Sequence, residues 1–397
     1  MMRIALLLSL VVFSATLTGC WDRKEVNDIA LITALGIDKK GNRVEITTLE
    51  FIPKGGGQQG FGGGGGESGG GAQNLTLVRS AEGLTISDAI SKLQKKIPRV
   101  MFWGLCEVFI MHEDIAKDGI AGHVDFLFRH PQLRERSEVF ISKQKAKDVL
   151  SLIPPLERDP SEVLRELAEL KIGMHVTTKD LAEMLIGESG AQAVPYIEIL
   201  PPQAKGAASN QTIAYMTGTA IFKHGKMVGR IDEATTRGVL WLQNAINMAI
   251  VTIQPKDAKG YVSMNLLKAH SRLIPKIESG KWKITLILET DDDVVQNTTA
   301  LDIQDPKITK QLEQDLRKSV INRVNSALSQ VQKKMKADIF GFADAFHRAY
   351  PKEWKENKDV WDDIFPNVAV SIKVKAHLRR PGLINKPAGL PEQEVKK

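Results

Sequence analysis

Cysteine is almost absent from this sequence, with only Cys20 and Cys106 among 397 residues. Two cysteines can form at most one intramolecular disulfide bond, which excludes the class of small secreted proteins held together by disulfides. Beyond residue 19, no apolar run approaches the ~20 residues that a membrane-spanning helix requires. The chain is long enough for two or three domains, and their stability must come from hydrophobic packing.

Recognisable catalytic motifs are also missing. The eight histidines are dispersed, and no two of them have the helical spacing that binds a metal ion. The one Gly-x-Ser-x-Gly match, at residues 66–70, lies inside a glycine-rich tract without the strand and helix of a nucleophile elbow, and the apolar surroundings of Cys106 predict a buried, unreactive thiol. The triplet Asp291, Asp292 and Asp293 lacks the pattern of a calcium loop, and we interpret it as a solvated turn. We therefore predict no enzymatic activity, no metal site and no cofactor.

Glycine, in contrast, is concentrated in one tract. Residues 55–71 are mostly glycine, with a few Gln, Phe, Glu and Ser residues. A glycine-rich loop that binds nucleotide phosphates follows a strand directly and opens a helix, and neither flanks this tract in the sequence. We predict a flexible loop without a ligand.

The first twenty residues have the pattern of a lipoprotein signal peptide. Arg3 supplies a basic start, residues 4–13 form an apolar stretch, and Leu-Thr-Gly at 17–19 precedes Cys20. This order predicts cleavage of residues 1–19 and lipid attachment to Cys20, as S-diacylglycerol and N-palmitoyl groups. At about 0.8 kcal/mol per buried methylene, two or more long chains hold a protein on a membrane almost permanently. The alternative is an ordinary signal peptide in which the cysteine occurs by chance.

Positive charge prevails in the composition. The formal net charge is +7 at pH 7, and removal of the predicted signal peptide takes away only Arg3. A basic surplus favours contact with an anionic lipid surface. The basic residues are scattered and are not interleaved with aromatic residues, so nucleic acid is not a predicted partner.

The first half of the chain has the pattern of a βαβ unit. Residues 104–111 form a nearly continuous apolar run, residues 113–128 are predicted to form a helix, and 137–142 a second strand. This order predicts a partly parallel sheet. Two more helices are predicted at 161–171 and 178–186, followed by an irregular prolyl and polar segment at 195–211.

In the second half, one long helix dominates the pattern. It begins at Asp305 and Pro306, and apolar residues recur every three to four positions as far as Met335. About thirty helical residues span roughly 45 Å, enough to cross a sheet. Strands are predicted around it at 215–223, 227–231, 282–290 and 368–378.

Together these elements predict a multi-domain protein of mixed α/β and α+β class. Mixed β-sheets are covered by helices, and the long helix of the C-terminal domain crosses a sheet. We predict α/β domains at residues 20–203 and 206–380, the second divisible near residue 275 into middle and C-terminal domains. A loose tail is predicted at 381–397.

Short motifs along the mature chain resemble those of one known family. Residues 19–28 read GCWDRKEVND, and residues 34–38 read ALGID. Further matches are DFLFR at 125–129, GTAIFK at 218–223, TRG at 236–238 and DIFGF at 338–342, with Pro131, Arg134, Trp241, Pro351, Trp354 and Trp361. These motifs resemble the C-subunit lipoproteins of spore nutrient germinant receptors, the GerAC-like lipoproteins.

This resemblance implies a biological role that composition and spacing do not supply. Proteins of this kind act beside two integral membrane subunits, of A and B type, in the inner membrane of the dormant spore. Together the subunits sense nutrients and trigger germination. The resemblance leaves open whether this subunit binds the germinant itself. The alternatives are a solute-binding lipoprotein that serves a transporter and, with less support from the residues, an envelope hydrolase.

Overall fold

The computed structural model describes residues 28–51, 76–203, 206, 208–256 and 258–380. The predicted signal peptide (residues 1–19), Cys20, the glycine tract (55–71) and the tail (381–397) lie outside these residues. Among the described residues, no helix is both long and apolar enough to cross a membrane.

Within the part of the chain that the structure describes, the first sheet contains nine strands, in the spatial order β3-β2-β1-β5-β6-β7-β8-β9, with the short β4 beside the start of β1. Strands β1, β5, β6 and β7 are parallel and form the centre, as the predicted βαβ pattern requires. Antiparallel pairs complete the sheet on both sides. The strands are β1 (Ile29–Lys40), β2 (Arg43–Phe51), β3 (Thr76–Gly83), β4 (Val100–Phe102), β5 (Val108–His112), β6 (Glu138–Ser142), β7 (Ala191–Ile199), β8 (Ala214–Lys223) and β9 (Lys226–Asp232).

Helices lie on both faces of this sheet, because the parallel central strands need a cover on each side. Thr85 caps the first helix by accepting a hydrogen bond from the Asp88 N–H. The single helix predicted at 113–128 is two helices, because Gly119 between them adopts φ 134°. The helices are α1 (Ile86–Gln94), α2 (Glu113–Asp118), α3 (Ala121–Arg129), α4 (Ala146–Leu150), α5 (Pro160–Glu169), α6 (Thr178–Ile186) and α7 (Glu233–Leu242).

Strand β7 occupies part of the segment that the sequence predicts to be irregular. Pro195 lies inside β7, opposite Thr219 of β8. Strands β8 and β9, which the sequence assigns to the second domain, pair with β7 and with each other, so the first sheet continues past residue 206. The domain division between 203 and 206 remains a prediction.

The second sheet has four strands among the described residues, in the order β10-β11-β12-β13, and is also mixed. Strands β10 to β12 are antiparallel, whereas β12 and β13 are parallel. Residue 275, near which a further division was predicted, lies within β11. The strands are β10 (Ile250–Ile253), β11 (Val262–Glu278), β12 (Lys281–Asn297) and β13 (Ala369–Arg380).

The predicted long helix connects β12 to β13. Helix α8 (Pro306–Ala327) continues as a π-helical segment, Leu328–Met335, and contacts both outer strands of the sheet, β10 and β13. Asp305 caps it by accepting a hydrogen bond from the Lys307 N–H at 2.7 Å. The predicted apolar stripe is buried along Leu312, Leu316, Val320, Val324, Ala327, Leu328 and Val331. The predicted fold class, including one long helix across a sheet, is therefore confirmed.

Three short helices complete the described chain: α9 (Phe342–Ala349), α10 (Pro351–Asn357) and α11 (Trp361–Ile364). Phe346 of α9 and Trp361 of α11 pack edge to face with Trp282 of β12, and Trp354 of α10 packs in the same way on Trp361. The larger cluster of buried apolar side chains runs from the first sheet through α7 and α8 to this aromatic group. A smaller cluster fills the opposite face of the first sheet. The two sheets thus share one hydrophobic core.

Candidate functional site

The predicted lipid attachment residue, Cys20, lies outside the described residues, eight positions before Asp28. The other cysteine, Cys106, is fully buried and is not in a disulfide. Burial raises the pKa of its thiol, which lowers the fraction of reactive thiolate. The thiol of Cys106 is therefore a poor nucleophile, and lipid attachment to Cys20 remains a prediction.

The described residues contain no group of three or more His, Cys, Asp and Glu side chains that could hold a metal ion. The interpretation of the aspartate triplet as a turn is wrong, because residues 291–293 lie inside β12. Strands β11 and β13 pair with β12 on either side and keep this acidic segment extended. The middle residue, Asp292, is buried on the inner face of the sheet.

Asp292 has an unusual environment for a carboxyl group. Burial raises its pKa to about 6, although a hydrogen bond donated by Thr290 opposes the rise. The flanking carboxyl groups of Asp291 and Asp293 add to the rise. The described structure gives Asp292 no cationic partner. The ionised form of the buried Asp292 carboxyl group therefore lowers the stability of the fold.

We expect Asp292→Asn to remove a pH dependence of stability. Since the folded pKa exceeds the unfolded value of about 3.9, the folded state binds more protons and stability falls as pH rises from about 4 to 6. The free energy of unfolding of the variant should exceed that of wild type by about 2–3 kcal/mol at neutral pH and nearly match it near pH ~4. Urea unfolding at both pH values measures this, with exposed Asp359→Asn as the control. If the free energies of unfolding of variant and wild type differed equally at both pH values, the raised pKa of Asp292 would be contradicted.

Several motif residues meet where the first sheet contacts α8. Thr219 of β8 and Thr236 of α7 are both buried, and their hydroxyl oxygens lie 2.9 Å apart. At Gly238 of α7, a Cβ atom would lie 2.2 Å from the carbonyl oxygen of Arg323 and 3.0 Å from the Cβ of Ala327. Only glycine permits this backbone approach. We call the contact formed by these five residues the joint.

Polar contacts surround the joint. The Gln330 side-chain amide donates to the Thr235 hydroxyl at 3.1 Å, which connects the π-helical segment to α7. The Gln243 amide donates to the Ile339 carbonyl at 2.6 Å. Farther out, the Trp354 indole donates to Glu188 at 3.0 Å, and Asp362 pairs with Lys223 and His224. The two sheets are therefore held together by helix packing and by side-chain hydrogen bonds.

The motif at 338–342 forms a buried turn next to this region. The carboxylate of Asp338 accepts hydrogen bonds from the Phe342 and Ala343 N–H groups at 3.2 and 2.7 Å, and from the Trp361 indole at 3.1 Å. Burial raises the pKa of Asp338 to about 6, and these donors limit the rise. Asp338 thereby orients the start of α9 and fixes Trp361.

Other motif residues lie elsewhere. Asp38 of β1 accepts hydrogen bonds from the Ala146 and Lys147 N–H groups at 2.7 and 3.0 Å, and so caps α4. The Arg134 Nη1 atom lies 3.8 Å from Oε1 of Glu107, and both residues line a polar depression of about 380 Å³. Among the described contacts, no hydrogen bond or ion pair connects Asp38 or Arg134 with the joint.

The motifs are recognisable in the sequence, but the joint that some of their residues form is not. The contacts that create it connect residues far apart in the chain, such as Thr235 and Gln330. The available signal was Gly238, because glycine inside a helix is unfavourable unless close packing requires it.

Comparison with known proteins places this architecture in a family. The model described as "Spore germination protein N-terminal domain" matches residues 22–199. The model described as "Spore germination B3/ GerAC like, C-terminal" matches residues 217–382. The two matches follow each other in order and cover most of the chain.

Curated relatives match nearly from end to end. Spore germination protein KC of Bacillus subtilis (strain 168) is 26% identical, over 98% of this chain and 97% of its own length. The putative spore germination protein YfkR of the same strain is 28% identical, over 93% and 94% of the two chains. Spore germination protein B3, also from this strain, is 21% identical over 93% and 96%.

A solved structure has the same fold. The crystal structure of the GerBC protein superposes with a TM-score of 0.55, over 87% of this chain and 97% of that chain, at 17% identity. The family inferred from the sequence motifs is confirmed by both domain models and by the relatives. This chain belongs to the GerAC-like family of spore germination proteins.

Proposed function

We propose that this protein is the lipid-anchored C subunit of a spore nutrient germinant receptor. It acts with integral membrane subunits of A and B type and triggers germination in response to nutrients. Diacylglycerol and palmitoyl chains on Cys20 hold it on the outer face of the cell membrane, which becomes the inner membrane of the spore. Its contribution is made through protein contacts and not through catalysis.

The observation that carries this proposal is the ordered match of both germination domain models, over 22–199 and 217–382. The family is not a known enzyme family, and motif residues such as Thr236 and Gly238 serve packing at the joint. A subunit that relays a signal needs two structural parts that are coupled by a defined contact. The hydrophobic core shared by the first and second sheets supplies such a contact.

The described structure does not favour a solute-binding lipoprotein of a transporter. Such proteins have two lobes that close around a ligand in a cleft between them. Here the larger apolar cluster continues from the first sheet through α7 and α8 into the second. Side chains occupy the region where such a cleft would open.

Deletion of the gene tests the proposal. Spores that lack it should lose germination in response to at least one nutrient of a panel applied singly, and the wild-type gene should restore the response. Affinity capture of the tagged, detergent-solubilised protein should recover two integral membrane subunits, of A and B type.

A complementing copy with Gly122→Ala is a suitable control, since no atom lies within 4 Å of the position a Cβ would take there. It should restore germination fully. Normal germination of the deletion spores on every nutrient, together with capture of solute transporter components, would reject the receptor assignment.

A further inference from the structure

Among the described residues, helices cover the second sheet on one face only. Helices α7 and α9 contact β11, and α8 contacts β10 and β13, on the side where alternate strand residues are buried. The opposite side chains of β11 and β13 are mostly exposed. We call this exposed side of β10–β13 the outer face.

The register of the strands places basic residues in rows across the outer face. One row contains Arg272, Ile287 and Lys373, without a carboxylate. In another, Lys276 lies directly opposite Lys283. Like charges opposite each other in a sheet are unfavourable unless something compensates them. The basic residues of the face are Lys268, Arg272, Lys276, Lys281, Lys283, Lys373, Lys375, Arg379 and Arg380; the acidic ones are Glu278, Glu289, Asp291 and Asp293.

The acidic residues of this face are already occupied by neighbouring cations. Glu278 pairs with Lys276 and Lys283, Glu289 with Lys375, Asp291 with Arg379, and Asp293 with Arg380. Four further cations of the face have no ion pair within the described structure. They are Lys268, Arg272, Lys281 and Lys373, all of them exposed. Their charge is available to an external anion.

Apolar side chains accompany these cations on the outer face. Ile250 of β10 is 53% exposed and Val295 of β12 is 56% exposed. Leu267 and Ile274 of β11 are 49% and 38% exposed. β-Bulges in the β11–β12 pair lie at the positions of Leu267 and Val295. Exposed apolar residues beside unpaired basic residues are characteristic of surfaces that lie in the interface of a membrane.

We propose that the outer face docks on an anionic phospholipid surface. Lys268, Arg272 and Lys373 contact lipid phosphates, while Leu267, Ile250 and Val295 enter the headgroup region. The charge complementarity selects anionic over zwitterionic lipid. The inference deepens the proposed function, because a protein anchored through Cys20 has its surface next to lipid throughout. Docking would fix the orientation that a lipid tether alone leaves free.

The test uses the full-length protein reconstituted into vesicles. In one protein, a fluorescent maleimide is attached at Ser371→Cys on the outer face. In a second protein, the control, it is attached at Leu156→Cys, between α4 and α5 beside the first sheet. Buried Cys106 does not compete for the label. The vesicles contain a lipid with a headgroup quencher and are either pure phosphatidylcholine or mixed with phosphatidylglycerol.

We expect quenching of the label at 371 in phosphatidylglycerol vesicles only, with relief at about 1 M salt. The label at 156 should stay unquenched in both. The triple variant that combines Lys268→Gln, Arg272→Gln and Lys373→Gln should dock on the membrane roughly a hundredfold more weakly. Each basic residue near an anionic surface strengthens binding roughly fivefold. The matched control is Lys95→Gln, Arg136→Gln and Lys171→Gln, three exposed cations that also have no ion pair in the described structure.

Equal quenching at 371 in both vesicle types, or an unaffected triple variant, would overturn the proposal. So would protection of the label that appears only when membrane subunits are present, since the face would then bind protein. If Cys20 carried no lipid, the result would be different, because wild-type protein would react with maleimide at the free Cys20 thiol. In that case co-sedimentation of the same variants with the vesicles still tests the outer face.

Discussion

Leu316→Asp and Val324→Asp are each expected to unfold the second sheet and the helices that cover it. Both side chains are at most 1% exposed and lie on the face of α8 that covers the sheet. Burying a carboxylate without a partner costs several kcal/mol, which is comparable to the stability of a typical domain. Circular dichroism melting should show loss of the cooperative transition or a large decrease in its midpoint.

The melting experiment requires the full chain, because β8 and β9 belong to the first sheet. Asn325→Asp introduces the same side chain at an exposed position of α8 and should leave the melt unchanged. If Leu316→Asp or Val324→Asp melted like wild type, α8 would not be a core helix and would become a candidate for the partner interface.

Gly238→Val is the second substitution for which we expect a large effect. Its Cβ would lie 2.2 Å from the Arg323 carbonyl oxygen, so α7 and α8 must separate. Overpacking of this kind costs about 1–3 kcal/mol, and more when backbone atoms clash. Urea unfolding should show this loss, and spores that carry the variant should germinate weakly even if the protein accumulates.

The matched control for Gly238→Val is Gly122→Ala in α3, where a Cβ has open space. Alanine favours helix over glycine by about 0.8–1.0 kcal/mol, so this variant should be as stable as wild type or more stable. If Gly238→Val were equally well tolerated, the close contact at the joint would not be essential.

Local patterns predicted much of the fold. Helix α8 was predictable because Asp305 and Pro306 mark its start and its apolar residues recur with helical spacing. Strands β5, β6, β8 and β9 carry continuous or alternating apolar residues, and they were predicted within a few residues.

Elements that depend on distant partners were missed. Strand β11 carries exposed charged residues such as Arg272, so only its pairing with β12 defines it. Pro195 suggested a boundary, yet β7 is held by β8 on one side. The triplet at 291–293 resembled a turn because carboxylates are rare inside strands. The joint itself depends on tertiary contacts that no local pattern encodes.

The prediction of Cys20 as the lipid attachment site depends on the sequence alone. Cys20 was inferred entirely from the signal-peptide pattern, and it lies outside the described residues. The motif residues were recognised through family resemblance, and only the coordinates assign Gly238 to helix contact and Asp338 to the anchoring of a turn.

Lipid attachment at Cys20 is the part of the receptor proposal that one measurement tests most directly. Cells expressing the wild-type protein or Cys20→Ala are grown with labelled palmitate, and the purified proteins are compared by label and by intact mass. We predict label and a mature chain beginning at residue 20 in the wild type, and an unlabelled, uncleaved precursor in the variant. Equal incorporation of lipid into both proteins would contradict the anchor and the membrane role built on it.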